Sequence, residues 1–249
     1  MSFFSYKKPY LEDGKKVLEV NILPEKHCNF DCIFCPLGRS EQKGEAPARV
    51  DGYEEALSDL ENRLSSTGAD LVFINSSGEA LLHEKIDHLI DFIQSKGTSV
   101  RLLTNGYLLG KRIHQQTANK CQEVLGEMKV VTNETFHKVQ RPPQDYSLDT
   151  YIANMAAFNR QFSGTFMLEI TLLKGYNDDD ASVDKLKEVI QVIRPHKLLI
   201  QRMDEPPFVK KLGISDQRYQ EICLILEEAM ACKESLPKDV DQTKSGTAI

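Results

Sequence analysis

Six short apolar segments separated by stretches of helical spacing constrain this chain more than any other feature. Residues 17–23 (VLEVNIL), 70–75 (DLVFIN), 99–104 (SVRLLT), 127–132 (EMKVVT), 165–173 (TFMLEITLL) and 197–202 (KLLIQR) read as strands. In 51–66, Tyr53, Ala56, Leu57, Leu60 and Leu64 fall on one helical face; in 82–96, Ile86, Leu89, Ile90 and Ile93 do the same, and Gly97 ends the run. Residues 107–116, 148–162, 181–193 and 216–232 read as further helices, the third of these entered through the acidic run 178–180, which suits a helix start. A parallel strand pair needs a long, right-handed crossover, and a helix between each pair of strands supplies it. The expected fold class is therefore α/β with a mostly parallel six-stranded sheet. Periodicity alone fits an open sheet and a curved partial barrel equally. The 249 residues read as a single domain over 1–234, with its core at about 17–229; the polar, aperiodic stretch 235–249 reads as a disordered tail.

The sharpest chemical signal is Cys28-Asn-Phe-Asp-Cys32-Ile-Phe-Cys35, on the loop just after the first expected strand. In parallel α/β sheets that carboxyl edge is where sites gather. Three thiolates this close can wrap one polynuclear centre. Iron–sulfur clusters are held by cysteine thiolates, most often four. The fourth is missing from this stretch, which would leave one iron open to another ligand. Zinc also takes thiolates, and His27 is adjacent, but zinc sites commonly come as two separated ligand pairs and no second pair follows. Inert core thiols are the third reading, and a polar loop argues against it. Spacing thus favours a cluster over zinc, and zinc over unreactive thiols. The remaining cysteines, Cys121, Cys223 and Cys232, read as core or surface thiols; the last two lie nine apart, on different turns of one helix.

Charge and hydropathy exclude some partners. The formal net charge is −6 with Lys and Arg scattered, so the concentrated basic surface of a duplex-binding domain is not expected and nucleic acid is not favoured as a partner. No apolar run is long enough for a membrane span. The first residues, MSFFSYKKPYLEDGKK, lack the apolar core of a secretory signal, so a cytoplasmic location is expected.

Taken in order, the motifs resemble the radical S-adenosylmethionine (radical SAM) superfamily. Cys-x3-Cys-x2-Cys after the first strand is similar to its signature. Ser77-Gly78-Glu79-Ala80 resembles its Gly-Gly-Glu-Pro motif, with Ala80 in place of the proline, and Leu103-Thr104-Asn105-Gly106 resembles its Thr-Asn-Gly. The resemblance covers residues 17 to about 229 and implies a partial (β/α)6 TIM-like barrel. It implies a [4Fe–4S] cluster on Cys28, Cys32 and Cys35 whose open iron chelates S-adenosylmethionine. An electron from the cluster would then cleave the cofactor to methionine and a 5′-deoxyadenosyl radical that abstracts hydrogen from a substrate. It implies cofactor contacts at Phe34, Gly78, Glu79, Thr104 and Asn105, and an electron donor such as flavodoxin or ferredoxin as partner. Within the superfamily, the surroundings of the cysteines through Arg39-Ser40, Arg141-Pro142-Pro143, the run 173–178 and the region 201–207 resemble the wyosine-related "Fe–S oxidoreductase" branch. Relatives carry Lys-Val-Ser-Leu-Asp-Ala after the fourth strand, where this chain has Lys129-Val130-Val131-Thr132-Asn133-Glu134, so Thr132 or Asn133 is expected to take over cofactor contacts there.

A few further residues belong to the expected site. Glu169 and Thr171 alternate with apolar neighbours on the fifth strand and would face a barrel interior, Glu169 as a cofactor or substrate contact or as half of an ion pair. Gln201 and Arg202 close the sixth strand. His83 follows the Gly-Glu segment and could line the site, though a surface or helix-start histidine is the better reading; Arg39 and Lys174 are candidates for binding a carboxylate or phosphate, or solvated charge. Three functions follow: radical SAM chemistry on an unidentified small molecule, the same chemistry on a macromolecule (tRNA or a glycyl-radical partner enzyme), or a non-enzymatic zinc protein.

Overall fold

The structure, a computed structural model, describes residues 3–40 and 43–232. The stretch expected as a tail lies outside them. Two short strands open the chain, β1 (Ser5–Tyr6) and β2 (Tyr10–Glu12), and both pair antiparallel with β3 (Lys15–Asn21). From β3 the sheet runs in strict sequence order through β4 (Leu71–Ile74), β5 (Ser99–Thr104), β6 (Glu123–Met128), β7 (Thr165–Leu172) and β8 (Lys197–Arg202), every pair parallel. Among the described residues β3 and β8 do not pair with each other, so the sheet stays open. Side chains from β3, β5, β6, β7 and β8 nevertheless line one cavity. Outer strands can share a cavity only if the sheet curves round it, and the fold is the partial barrel of six parallel strands.

Helices cover the outside. α1 (Tyr53–Thr67) and α2 (Ile86–Ser95) bury the faces that their spacing predicts, Tyr53, Ala56, Leu57, Leu60 and Leu64 in the first and Ile86, Leu89, Ile90 and Ile93 in the second. The helix expected over 107–116 divides into a 3-10 turn, Tyr107–Gly110, and α3 (Arg112–Ala118). Next come one turn of helix, α4 (Asn133–Thr135), a π-turn over Phe136–Gln140, and α5 (Leu148–Gln161), whose cap Ser147 accepts from the Thr150 N–H at 3.2 Å. α6 (Asp180–Ile193) is capped by Asp179, as the acidic run suggested. α7 (Pro206–Leu212) has no counterpart in the expected elements, and α8 (Asp216–Cys232) matches them.

The fourth parallel strand corrects the sequence reading. It was expected over 127–132 and lies at Glu123–Met128, four residues earlier. Gly126 interrupts the apolar pattern there and hides the strand. A β-carbon at Gly126 would lie 2.9 Å from Phe166 and 3.0 Å from Met155, so the missing side chain is filled by neighbours from β7 and α5. Lys129–Thr132 thereby becomes a connection leaving the carboxyl end of the strand.

Candidate active site

The loop after β3 crosses the carboxyl ends of the strands and is tied down by backbone. His27 bridges to Gly78: the His27 N–H donates to Ser77 O at 3.0 Å, and the Glu79 N–H donates to His27 O at 2.9 Å. Gly78 has φ +130°, and a β-carbon there would sit 2.0 Å from His27 O. Glycine is what lets the two loops touch. Further on, the Asp31 and Ile33 N–H groups donate to Gln140 O and Val139 O at 3.0 and 2.9 Å, and Cys35 N–H closes a turn onto Cys32 O at 3.2 Å. Phe30, between the first two cysteines, is buried edge-on against Tyr107, Phe136, Tyr146 and Tyr151. An apolar anchor below and backbone bonds at both ends fix where the thiols project.

Cys28, Cys32 and Cys35 line a single cavity of about 810 Å³. Phe34 and the 76–78 turn border it on one side, Thr104 and Asn105 on another. The Phe30 N–H donates to Cys28 Sγ at 3.4 Å; Asn105 Nδ2 approaches the same sulfur at 3.9 Å and donates to Asn29 Oδ1 at 2.6 Å. Burial pushes the Cys28 thiol up to about 12, with Glu79 adding to it, and raises Cys32 as well, there opposed by the Lys129 charge. Such thiols stay neutral until a cation arrives to hold the thiolate, which is how iron or another thiophilic metal binds. Among the described residues no three His, Cys, Asp or Glu side chains gather about a point for one metal ion. The donor set fits a [4Fe–4S] cluster: sulfur ligands, a desolvated loop, N–H donors aimed at sulfur, and room in the same cavity for a ligand on an open iron.

The other expected contacts divide. Gly78, Thr104, Asn105, Glu169, Thr171, Gln201 and Arg202 line the cavity. Glu79 does not. Its carboxylate is fully buried, with Oε1 accepting from Leu81 N–H at 3.1 Å and Oε2 from Asn105 N–H at 2.7 Å. It braces the Gly78 turn against the Thr104–Asn105 turn, and desolvation raises its pKa to about 7 against those two bonds. Thr132 is also away from the cavity: it caps α4 in a reciprocal box with Thr135. The shifted β6 explains this. Glu127 and Lys129 occupy the strand end, they line the cavity, and they form an ion pair. Lys129 is buried with its ammonium 5.6 Å from the Phe34 ring centre. Glu127 stands opposite Glu169 in the β6–β7 register, so both carboxylates face inward. Burial, and then Glu127, raise the Glu169 pKa to about 7 while Lys129 opposes. Sequence reasoning missed Glu127 and Lys129 because a strand placed four residues late puts them at its start.

Residues set aside earlier also have places. His83 is buried beside Tyr53 and Phe3, outside the cavity lining. Cys121 is a core thiol, Cys223 is half-buried on α8, and the Cys232 side chain lies outside the description. Arg39 pairs with Asp31, and Lys174 is exposed beyond β7.

Comparison with known proteins gives a concordant picture. The model of the Radical SAM superfamily matches residues 22–186. A "UPF0026 protein" of Helicobacter pylori strain J99 is 27% identical over 233 residues, 90% of this chain and 72% of that one. A protein named "GTPase Obg" from Brachyspira hyodysenteriae is 24% identical over 92% of this chain, which spans only 34% of its length. In structure, TYW1 with a lysine-pyruvate adduct bound superposes with a TM-score of 0.63 at 16% identity, covering 86% of this chain and 75% of that one. A radical SAM methyltransferase from Sphaerobacter thermophilus gives 0.61 at 12% identity, covering 92% and 75%. At such identities the structural likeness speaks for the fold.

Proposed function

The chain belongs to the radical SAM superfamily, and on that premise we propose an enzyme that holds a [4Fe–4S] cluster on Cys28, Cys32 and Cys35 and uses it to cleave S-adenosylmethionine for hydrogen abstraction from a small molecule. When bound to Cys28, Cys32 and Cys35, that centre would supply the one electron for reductive cleavage of the cofactor's sulfonium. One observation carries the reading: three thiols share a cavity with the 76–78 turn and with Thr104 and Asn105.

The protein's own share of the work is placement. The bridge between His27 and Gly78 brings a glycine backbone to the cysteine loop, where a ligand on the open iron would be reached by main-chain groups. Phe34 offers an apolar face beside the last cysteine. Glu127, Lys129, Glu169 and Gln201 line the far wall and would orient polar groups of cofactor and substrate; Glu127 and Lys129 take the role first expected of Thr132. A cavity of about 810 Å³ for both ligands favours a small substrate over a macromolecule. The likeness to TYW1 and to the UPF0026 protein supports the wyosine-related branch. We further take the described residues as one domain acting in the cytoplasm; no helix among them is long and apolar enough to cross a membrane.

Anaerobic reconstitution tests the reading. The expected protein carries about four iron and four sulfide per chain, absorbs in the visible charge-transfer region, and releases 5′-deoxyadenosine with dithionite and S-adenosylmethionine. A zinc protein without that absorbance, or no 5′-deoxyadenosine under any reducing condition, overturns it. Release that needs added tRNA or a partner protein would point to a macromolecular substrate.

A further inference from the structure

Asp31, between the first two cysteines, has more cations around it than it can neutralise. Its Oδ2 lies 2.8 Å from Arg39 Nε, 3.8 Å from Arg141 Nη1 and 3.9 Å from Lys43 Nζ, and its Oδ1 lies 3.7 Å from Lys26 Nζ. The Ser40 N–H donates to Oδ1 at 2.8 Å. Asp31 is inaccessible and the Lys26 side chain is 8% exposed, so these two form an inner pair. Among the described residues around Asp31, Arg39, Lys43 and Arg141, with side chains 71%, 39% and 34% exposed, remain as an outward surplus of three positive charges; Glu41, between Arg39 and Lys43 in sequence, lies outside the description. The chain as a whole has the opposite sign, −6. Glu45, close by in sequence, is engaged by Lys111 and Tyr146.

This patch also has an apolar element and a particular address. Leu37 is 48% exposed, two residues past Cys35 and two before Arg39. Four residues of chain span at most about 14 Å, so the Arg39 backbone lies within that reach of Cys35. A compact cationic spot with an exposed leucine beside Arg39, on a chain of net negative charge, steers an acidic protein toward that spot. A nucleic acid would meet three exposed cations here, on a chain of net charge −6 whose Lys and Arg are scattered in sequence.

We propose that Arg39, Lys43 and Arg141, gathered at Asp31, form with Leu37 the docking surface for an acidic one-electron carrier protein. This rests on the functional reading above, which requires an electron at the centre held by the three cysteines. The carrier loses one electron and the centre gains one, with no bond made or broken. Lys26 and Asp31 serve from behind, holding the loop that carries both the patch and the thiols.

The test uses reconstituted protein and reduced bacterial flavodoxin, following the loss of visible absorbance as the centre is reduced, with dithionite as a small-molecule control. The flavodoxin-driven rate is expected to fall at least about tenfold on raising the salt from about 50 to 500 mM, and again in the double variant Lys43→Glu with Arg141→Gln. Dithionite should reduce both proteins at rates within about twofold, and equal iron content shows that the variant has folded and loaded. Normal loading and dithionite reduction, with a flavodoxin rate indifferent to salt and to the substitutions, overturns this proposal alone. So does tRNA binding that the same substitutions abolish while flavodoxin reduction is unchanged. Protein that takes up no iron–sulfur centre overturns the functional reading, and this proposal with it.

Discussion

Lys129 shows what a single buried charge demands of its neighbours. Its ammonium is held by Glu127, with Glu169 next to it across the β6–β7 ladder. Lys129→Met would leave two inward carboxylates without their cation. The apo protein is expected to lose roughly 1–3 kcal/mol in urea unfolding, because an uncompensated buried charge costs more than the pair contributes. Lys129→Arg should recover most of it. Gly78→Ala strains a position at φ +130° and drives a β-carbon to 2.0 Å from His27 O. The cysteine loop must then move, and reconstituted iron is expected to drop to a small fraction of wild type; an unchanged iron content would mean that the His27–Gly78 contact does not position the thiols.

The fourth parallel strand makes the corresponding point about elements. Glu123–Met128 is legible as a strand only once its neighbours are known, because Gly126 contributes no side chain to the apolar pattern. The space that it leaves is occupied by Phe166 and Met155. Gly126→Ala is expected to destabilise by about 1–3 kcal/mol through overpacking, read as a shift of the unfolding midpoint with an unchanged denaturant slope. By contrast, the cap of α5 was readable from local chemistry. Ser147→Ala removes the acceptor for Thr150 N–H and should cost about 1 kcal/mol in the same measurement.

For the whole molecule, the far end of the barrel carries a charge network that joins four strands. Arg101 on β5 reaches Glu12 on β2 and Glu123 on β6, both at 2.6 Å, and Lys15 on β3 reaches Glu123 at 3.0 Å. Burial alone would raise the Glu123 pKa, but hydrogen bonds and charge from Lys15 and Arg101 outweigh it and hold the carboxyl below its ordinary range. A lowered carboxyl contributes stability that is complete above its unfolded pKa, about 4.3, and is lost as pH falls through the folded one. Urea midpoints of wild type and Glu123→Gln should therefore differ at neutral pH and converge in acid. A gap that persists below the folded pKa would show that the network does not act through this ionisation.

The sequence by itself determined the α/β class, the alternation of strands and helices, the faces of α1 and α2 and the cysteine triad. Each of these is written in residues close in sequence, where periodicity and spacing act. Strand ends Thr104 and Arg202 were legible to the residue, and with them Asn105 and Gln201 at the cavity. Only the tertiary structure decided which side chains meet across the site. Glu79 braces two turns because Asn105 N–H, twenty-six residues away, points at it. Thr132 stands outside the cavity, and Glu127 and Lys129 stand in it, because β6 is set by pairing with β5 and β7, and pairing register is a long-range property that no local pattern contains. The cations that converge on Asp31 come from both sides of the cysteines and from Arg141, more than a hundred residues on, so their surplus existed for no reader of the sequence until the fold brought them together.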